Sequence, residues 1–169
     1  AYKEILDSSG FKYFNTVLSN PEREYVEFYN GTNQGDSYYK ENTQWYDKQA
    51  CIRLPCETLD STIEKQNLPY PNFIKIDTQG SELDILAGAE SAVEHADLIY
   101  IECPIIKYNM GAPKMDDYLD YLRGKKFIPV DVFEIHRLEE TLIQIDIMFM
   151  SEEAKEKTLG KNINIRPFT

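Results

Sequence analysis

The sharpest change of rhythm in the chain lies at residues 73–87. Phe73, Ile74 and Ile76 make a short apolar run that reads as a buried strand. Asp77-Thr78-Gln79-Gly80 breaks it with polar and small residues, and Leu83, Leu86 and Ala87 then recur at helical spacing. Ser81 stands where an N-cap belongs. Glu82 and Asp84 put negative charge in the first turn, where the helix dipole favours it. Asp77 and Gln79 are therefore predicted at the carboxyl end of a strand, beside a helix N-terminus. Ligands of open α/β sheets bind at such ends.

The rest of the pattern predicts a helix over 2–7 that stops at Gly10, then strands at 15–18, 24–29 and 51–55. Ser19-Asn20-Pro21 reads as a turn. Residues 37–48 are polar and aromatic, with Tyr38, Tyr39, Trp45 and Tyr46, and have no clean period. A helix over 58–66 precedes the strand and helix described above, and helical character continues over 89–95. A strand at 97–102, a long loop, a helix at 115–123 and two closing strands at 130–137 and 144–150 follow. A short charged helix at 152–157 and a peripheral tail over 152–169 end the chain. Strands alternating with helices predict an α/β fold with a mainly parallel sheet, closed by an antiparallel hairpin.

Length and composition narrow the class. A chain of 169 residues that is 42% hydrophobic can bury one sizeable core, so one domain over 1–169 is expected. A formal net charge of −11 opposes nonspecific attachment to nucleic acid or an anionic membrane. No apolar run is long enough for a membrane span, and no secretory pattern opens the chain. Cys51, Cys56 and Cys103 have no metal-ligand spacing and read as free thiols of a reducing cytoplasm. No His adjoins Cys103 in sequence to activate it as a nucleophile. No metal-ligand set is apparent, and His95 and His136 read as structural.

Lys75-Ile76-Asp77-Thr78-Gln79-Gly80-Ser81-Glu82-Leu83-Asp84-Ile85-Leu86-Ala87-Gly88-Ala89 resembles the signature of FkbM-type methyltransferases. The resemblance extends to Thr58-Leu59-Asp60, to the strand ending at Glu102, to Gly124-Lys125-Lys126-Phe127, and to the two closing strands. It implies a Rossmann-like class I methyltransferase fold, S-adenosylmethionine as cofactor, and O-methylation of a sugar, glycolipid or natural-product hydroxyl. The family's Gly-rich first motif, Asp-x-Gly-Ala-Asn-x-Gly, and the acidic strand after it are absent. The chain is accordingly expected to represent the C-terminal portion of such a domain, with the N-terminal part missing.

Methyl transfer from a sulfonium needs in-line alignment and a proton acceptor more than covalent help. The resemblance and the strand-end positions nominate Asp77, Gln79 and Glu102 as catalytic residues. Leu18, Ser19 and Asp77 are expected to bind cofactor, with Leu18 packing on the adenine and Ser19 bonding its edge. Asp36 and Ser37 approach the same cleft in this reading. Glu82 is assigned first to stabilising its helix and second to the site. Tyr108 either stacks on an acceptor sugar or covers the core. The expected partner is a small-molecule or glycan acceptor, with a homo-oligomer left open. A second reading is a non-catalytic module that binds a partner through the aromatic loop or an uncovered sheet edge.

Overall fold

The computed structural model describes residues 2–31, 35–43 and 50–159. Helix α1 (Tyr2–Ser9) leads to strands β1 (Val17–Leu18), β2 (Tyr25–Asn30) and β3 (Ala50–Glu57). Helix α2 (Leu59–Lys65) precedes strand β4 (Phe73–Ile76), and helices α3 (Glu82–Ala87) and α4 (Glu90–His95) lead into strand β5 (Leu98–Pro104). Helix α5 (Met115–Gly124), strands β6 (Phe127–Leu138) and β7 (Thr141–Ser151) and helix α6 (Glu152–Leu159) complete the order. Trp45 and Tyr46 lie outside the described residues.

A single mainly parallel, Rossmann-like sheet is not what these strands form. They make two mixed sheets, ordered β1-β3-β2 and β4-β5-β7-β6. Parallel pairing is confined to β1 with β3 and β4 with β5. The pairs β2–β3, β5–β7 and β6–β7 are antiparallel. The reason lies in the connections. A parallel pair needs a long crossover, usually helical. Among strands consecutive in the chain and paired in one sheet, β4 and β5 are the pair joined through described helices, α3 and α4. No described helix separates β1, β2 and β3, so β2 folds back on β3. The closing hairpin is antiparallel, as its spacing predicts, and its strands are longer than the periodicity indicated.

Alternation sorts the larger sheet into two faces. Ile74, Ile76, Ile99, Ile101, Ile147 and Phe149 are buried on one of them. They pack with Leu86, Val93, Tyr118 and Leu122 from the helices into one core. The opposite face carries the register partners Lys75 and Tyr100, then Glu102, Asp146 and Glu134. Side chains of directly opposed residues share a face, so the polar set is continuous across the sheet. Asp77 extends it one position beyond the last β4–β5 pair, Ile76 with Ile101.

Local capping fixes the helices behind this sheet. The Thr58 hydroxyl accepts from the Ser61 N–H at 3.1 Å and caps α2. Asp60 reaches across to the next helix pair: its carboxylate accepts from Ser91 N–H at 2.8 Å and Ala92 N–H at 3.0 Å, at the start of α4. Asp60→Ala should therefore lower stability by about 1–2 kcal/mol, the usual loss for a helix cap. Urea denaturation checks this, and a loss within about 0.3 kcal/mol of zero would contradict the capping role. Gly88, after α3, lies where an added Cβ would sit 2.2 Å from the Ser19 carbonyl oxygen, so β1 approaches α3 too closely for any other residue. His95 stacks on Tyr70 with ring centroids 4.5 Å apart, a packing role. Among the described residues, no helix is long and apolar enough to cross a membrane.

Candidate active site

The loop between β4 and α3 is held in an unusual shape from inside. Gln79 has φ 56 and Gly80 φ 104, both in the left-handed region. An added Cβ on Gly80 would meet the Ala112 side chain at 2.7 Å. These dihedrals turn backbone N–H groups inward, where the Glu82 carboxylate receives them. It accepts from Thr78 N–H at 3.0 Å, from the Thr78 hydroxyl at 3.2 Å, and from Gly80 N–H at 3.0 Å. The Tyr118 hydroxyl donates to it at 2.6 Å. Glu82 is fully buried, and burial and its charge raise the Tyr118 phenol well above its usual range. Glu82 is thus the anchor of the loop rather than an exposed first-turn acid. Ser81 does not cap α3 with its side chain; its hydroxyl donates to Thr78 carbonyl oxygen at 3.1 Å. The buried Asn109 amide donates to the carbonyl oxygens of Gln79 and Tyr39, holding the other side of the same loop.

Gln79 and Glu102 are brought together. The Gln79 side-chain amide donates to Glu102 Oε2 at 3.0 Å. The other Glu102 oxygen accepts from the Gln144 amide, whose oxygen accepts from the Tyr108 hydroxyl at 2.5 Å. Tyr108 therefore braces this chain of hydrogen bonds. Burial, then the negative charge of Glu102, raises its phenol well above the usual range. Asp77 stands in the open beside them, half-exposed and paired with Lys75 Nζ at 2.9 Å. That pairing holds the Lys75 ammonium charged more firmly.

Burial pushes the Glu102 carboxyl up to about 8, and the charges of Asp77, Glu82 and Asp146 add to the shift, while the Gln144 hydrogen bond opposes it. The consequence for stability has a definite sign. A carboxyl raised from 4.5 to about 8 on folding contributes stability fully below its unfolded value. That contribution is lost as pH climbs through the folded value. Glu102→Gln cannot ionise, so it should gain on the wild type by roughly 3 kcal/mol between about pH 5 and about pH 9. Denaturation in the presence of a chelator measures this. A constant difference between the two proteins across that range would show that Glu102 titrates normally.

Leu18 and Ser19 stand elsewhere. Ser19 is fully buried, its N–H donating to Glu57 carbonyl oxygen at 2.9 Å and its hydroxyl 3.4 Å from that of Tyr38. The segment after it is clasped to α3. Asp84 accepts from Asn20 at 2.8 Å and from the Tyr39 hydroxyl at 2.8 Å, and pairs with Arg23 at 3.0 Å. Leu18 packs against the core. Ser19 is sealed and does not fit a role at an adenine edge, whereas Asp77 is open to a ligand. Asp36 and Ser37 close the turn after β2: Asp36 accepts from Gly31 N–H at 2.8 Å, and Ser37 pairs with Tyr29. Cys103 is buried, its thiol pushed up to about 12 chiefly by burial, which suits packing rather than nucleophilic attack.

Sequence reading overlooked Gln144 and Asp146. Both are mostly buried on the polar face. The available signal was a strand in which polar Gln144 and Asp146 alternate with apolar Ile143, Ile145 and Ile147. Asp146 also accepts from the Tyr100 hydroxyl at 2.8 Å. Burial and that bond raise the Tyr100 phenol to about 12.

Residues 8–129 match a family model described as Methyltransferase FkbM domain. No curated protein and no solved structure matches the chain. The match spans well over half of the sequence and contains the Lys75–Ala89 signature, with its braced loop and the Gln79–Glu102 pair. The chain belongs to the FkbM-domain methyltransferase family.

Proposed function

We propose that the protein is an S-adenosylmethionine-dependent O-methyltransferase whose acceptor is a hydroxyl of a sugar, glycolipid or related natural product. The observation that carries this reading is that Asp77 and the loop residue Gln79, just past the carboxyl end of β4, stand beside Glu102 near the carboxyl end of the parallel strand β5, with Gln79 bonded to Glu102. Free, unpaired Cys51, Cys56 and Cys103 agree with a cytoplasmic setting.

The donor supplies an electrophilic methyl on a sulfonium. The residues present account for the acceptor side. Glu102, when ionised, takes the proton of the acceptor hydroxyl. Gln79 and Gln144 hold its two oxygens so that the carboxylate does not rotate away. A carboxyl raised to about 8 is a well-matched proton acceptor near neutral pH. Asp77, half-exposed on the same edge, orients a second hydroxyl or the donor's ribose. A polyhydroxylated acceptor suits this mixture of carboxylates and amides better than an apolar one.

Calorimetric titration of S-adenosylmethionine into the protein tests the donor assignment. Saturable binding supports it. Absence of binding by both S-adenosylmethionine and S-adenosylhomocysteine would overturn it.

A further inference from the structure

Beyond the Gln79–Glu102 pair, the polar face continues into a second cluster on the closing hairpin. His136 Nε2 lies 3.4 Å from Glu134 Oε2 and 3.6 Å from Asp146 Oδ1. One donor atom from each of the three residues falls within 4.8 Å of the others. We propose that Glu134, His136 and Asp146 form a binding site for a divalent transition-metal ion.

The fold builds this cluster on strands rather than loops. Glu134 and His136 are two apart on β6, and Asp146 on β7 is the register partner of Glu134. Ligands about 2.0–2.2 Å from a metal ion lie roughly 3–3.5 Å from one another. The two His136 separations are already close to that spacing. Glu134, with 62% of its side chain exposed, can rotate to close the third.

Asp146 is oriented for the task. Its Oδ2 accepts from the Tyr100 hydroxyl at 2.8 Å, which leaves Oδ1 directed at the imidazole. The Gln144 amide lies 3.4 Å from that same Oδ1. Hydrogen-bonded support of a ligating carboxylate is a regular companion of metal sites.

Charge points the same way. Asp77, Glu102, Asp146 and Glu134 run in a row across four strands. Lys75 pairs with Asp77 at one end. At the other end, among the described residues, the His136 imidazole faces Glu134 and Asp146. A dication there would offset the repulsion between these neighbouring carboxylates. One imidazole with two carboxylates suits Zn²⁺ or Mn²⁺, whereas Mg²⁺ and Ca²⁺ favour all-oxygen sets. Three protein ligands also leave positions open on the exposed side.

The test uses tag-free, chelator-treated protein and the metal chlorides alone, so its outcome is independent of methyl transfer. Titration with Zn²⁺ and Mn²⁺ should show one saturable site per chain. His136→Ala and Asp146→Asn should each weaken binding at least about tenfold, and His136→Ala should leave the melting temperature of the metal-free protein unchanged. Co²⁺ should give a visible absorption band that disappears in His136→Ala. Binding of equal strength by wild type and both variants would overturn the site, as would no binding at all. Binding of Mg²⁺ or Ca²⁺ in preference to Zn²⁺ and Mn²⁺ would overturn the assignment to a transition metal.

Discussion

Replacing Glu82 by alanine is expected to lower stability by about 3–5 kcal/mol, the range for breaking a buried charged network. The carboxylate has no exposed surface and receives the Thr78 N–H and hydroxyl, the Gly80 N–H and the Tyr118 hydroxyl. Alanine leaves these donors buried without a partner, and each unsatisfied group costs about 1–3 kcal/mol. The loop they hold contains Gln79 and Gly80 at positive φ, a shape that persists only while its surroundings enforce it. Glu82→Gln keeps the size and one acceptor oxygen but turns an amide donor toward other donors, so an intermediate loss is expected. Urea denaturation of both variants measures this. A loss below about 1 kcal/mol for Glu82→Ala would show that the loop is held by something else.

The positions of the candidate residues in the fold are partly legible in the sequence, and the limits have physical causes. The β4–α3 unit follows from its change of period, and Asp77, Gln79 and Glu102 follow from their place at strand ends. The role of Glu82 does not follow. Periodicity places it in the first turn of α3, but only the reversed dihedrals of Gln79 and Gly80 send the backbone N–H groups back to it. A position at the end of a strand suggests that Ser19 faces a ligand. It is sealed because α3 packs onto it at Gly88 and Asp84 ties down Asn20 and Arg23.

The sheet's strand directions are hidden from the sequence for a related reason. Alternation identifies strands but says nothing of their direction, and among the described residues no helix joins β2 to β3 to make the crossover usual for a parallel pair. The polar face was hidden because register joins residues far apart in sequence. Glu102 meets Asp146, and Asp146 meets Glu134, only once β7 lies between β5 and β6.

The second large effect concerns catalysis. Glu102→Gln removes the proposed proton acceptor and should lower methyl transfer by at least about a hundredfold, as general-base removal does. Asp77→Asn should cause a comparable loss by misplacing the acceptor or the donor. Asp77 is half-exposed, so its substitution should leave folding intact. Retained structure is therefore part of the expected result and separates a chemical role from a structural one. Gln79→Ala should lie between these variants and the wild type, because it frees the Glu102 carboxylate without removing it.

The most direct measurement is transfer of a tritiated methyl group from S-adenosylmethionine to a panel of hydroxyl-bearing sugars and glycolipids, run in parallel on wild type, Asp77→Asn and Glu102→Gln. Labelled acceptor from the wild type, with at least about a hundredfold less from either variant while both variants remain folded, is the result expected. Transfer by both variants at the wild-type rate would contradict the assignment of Asp77 and Glu102 to the active site.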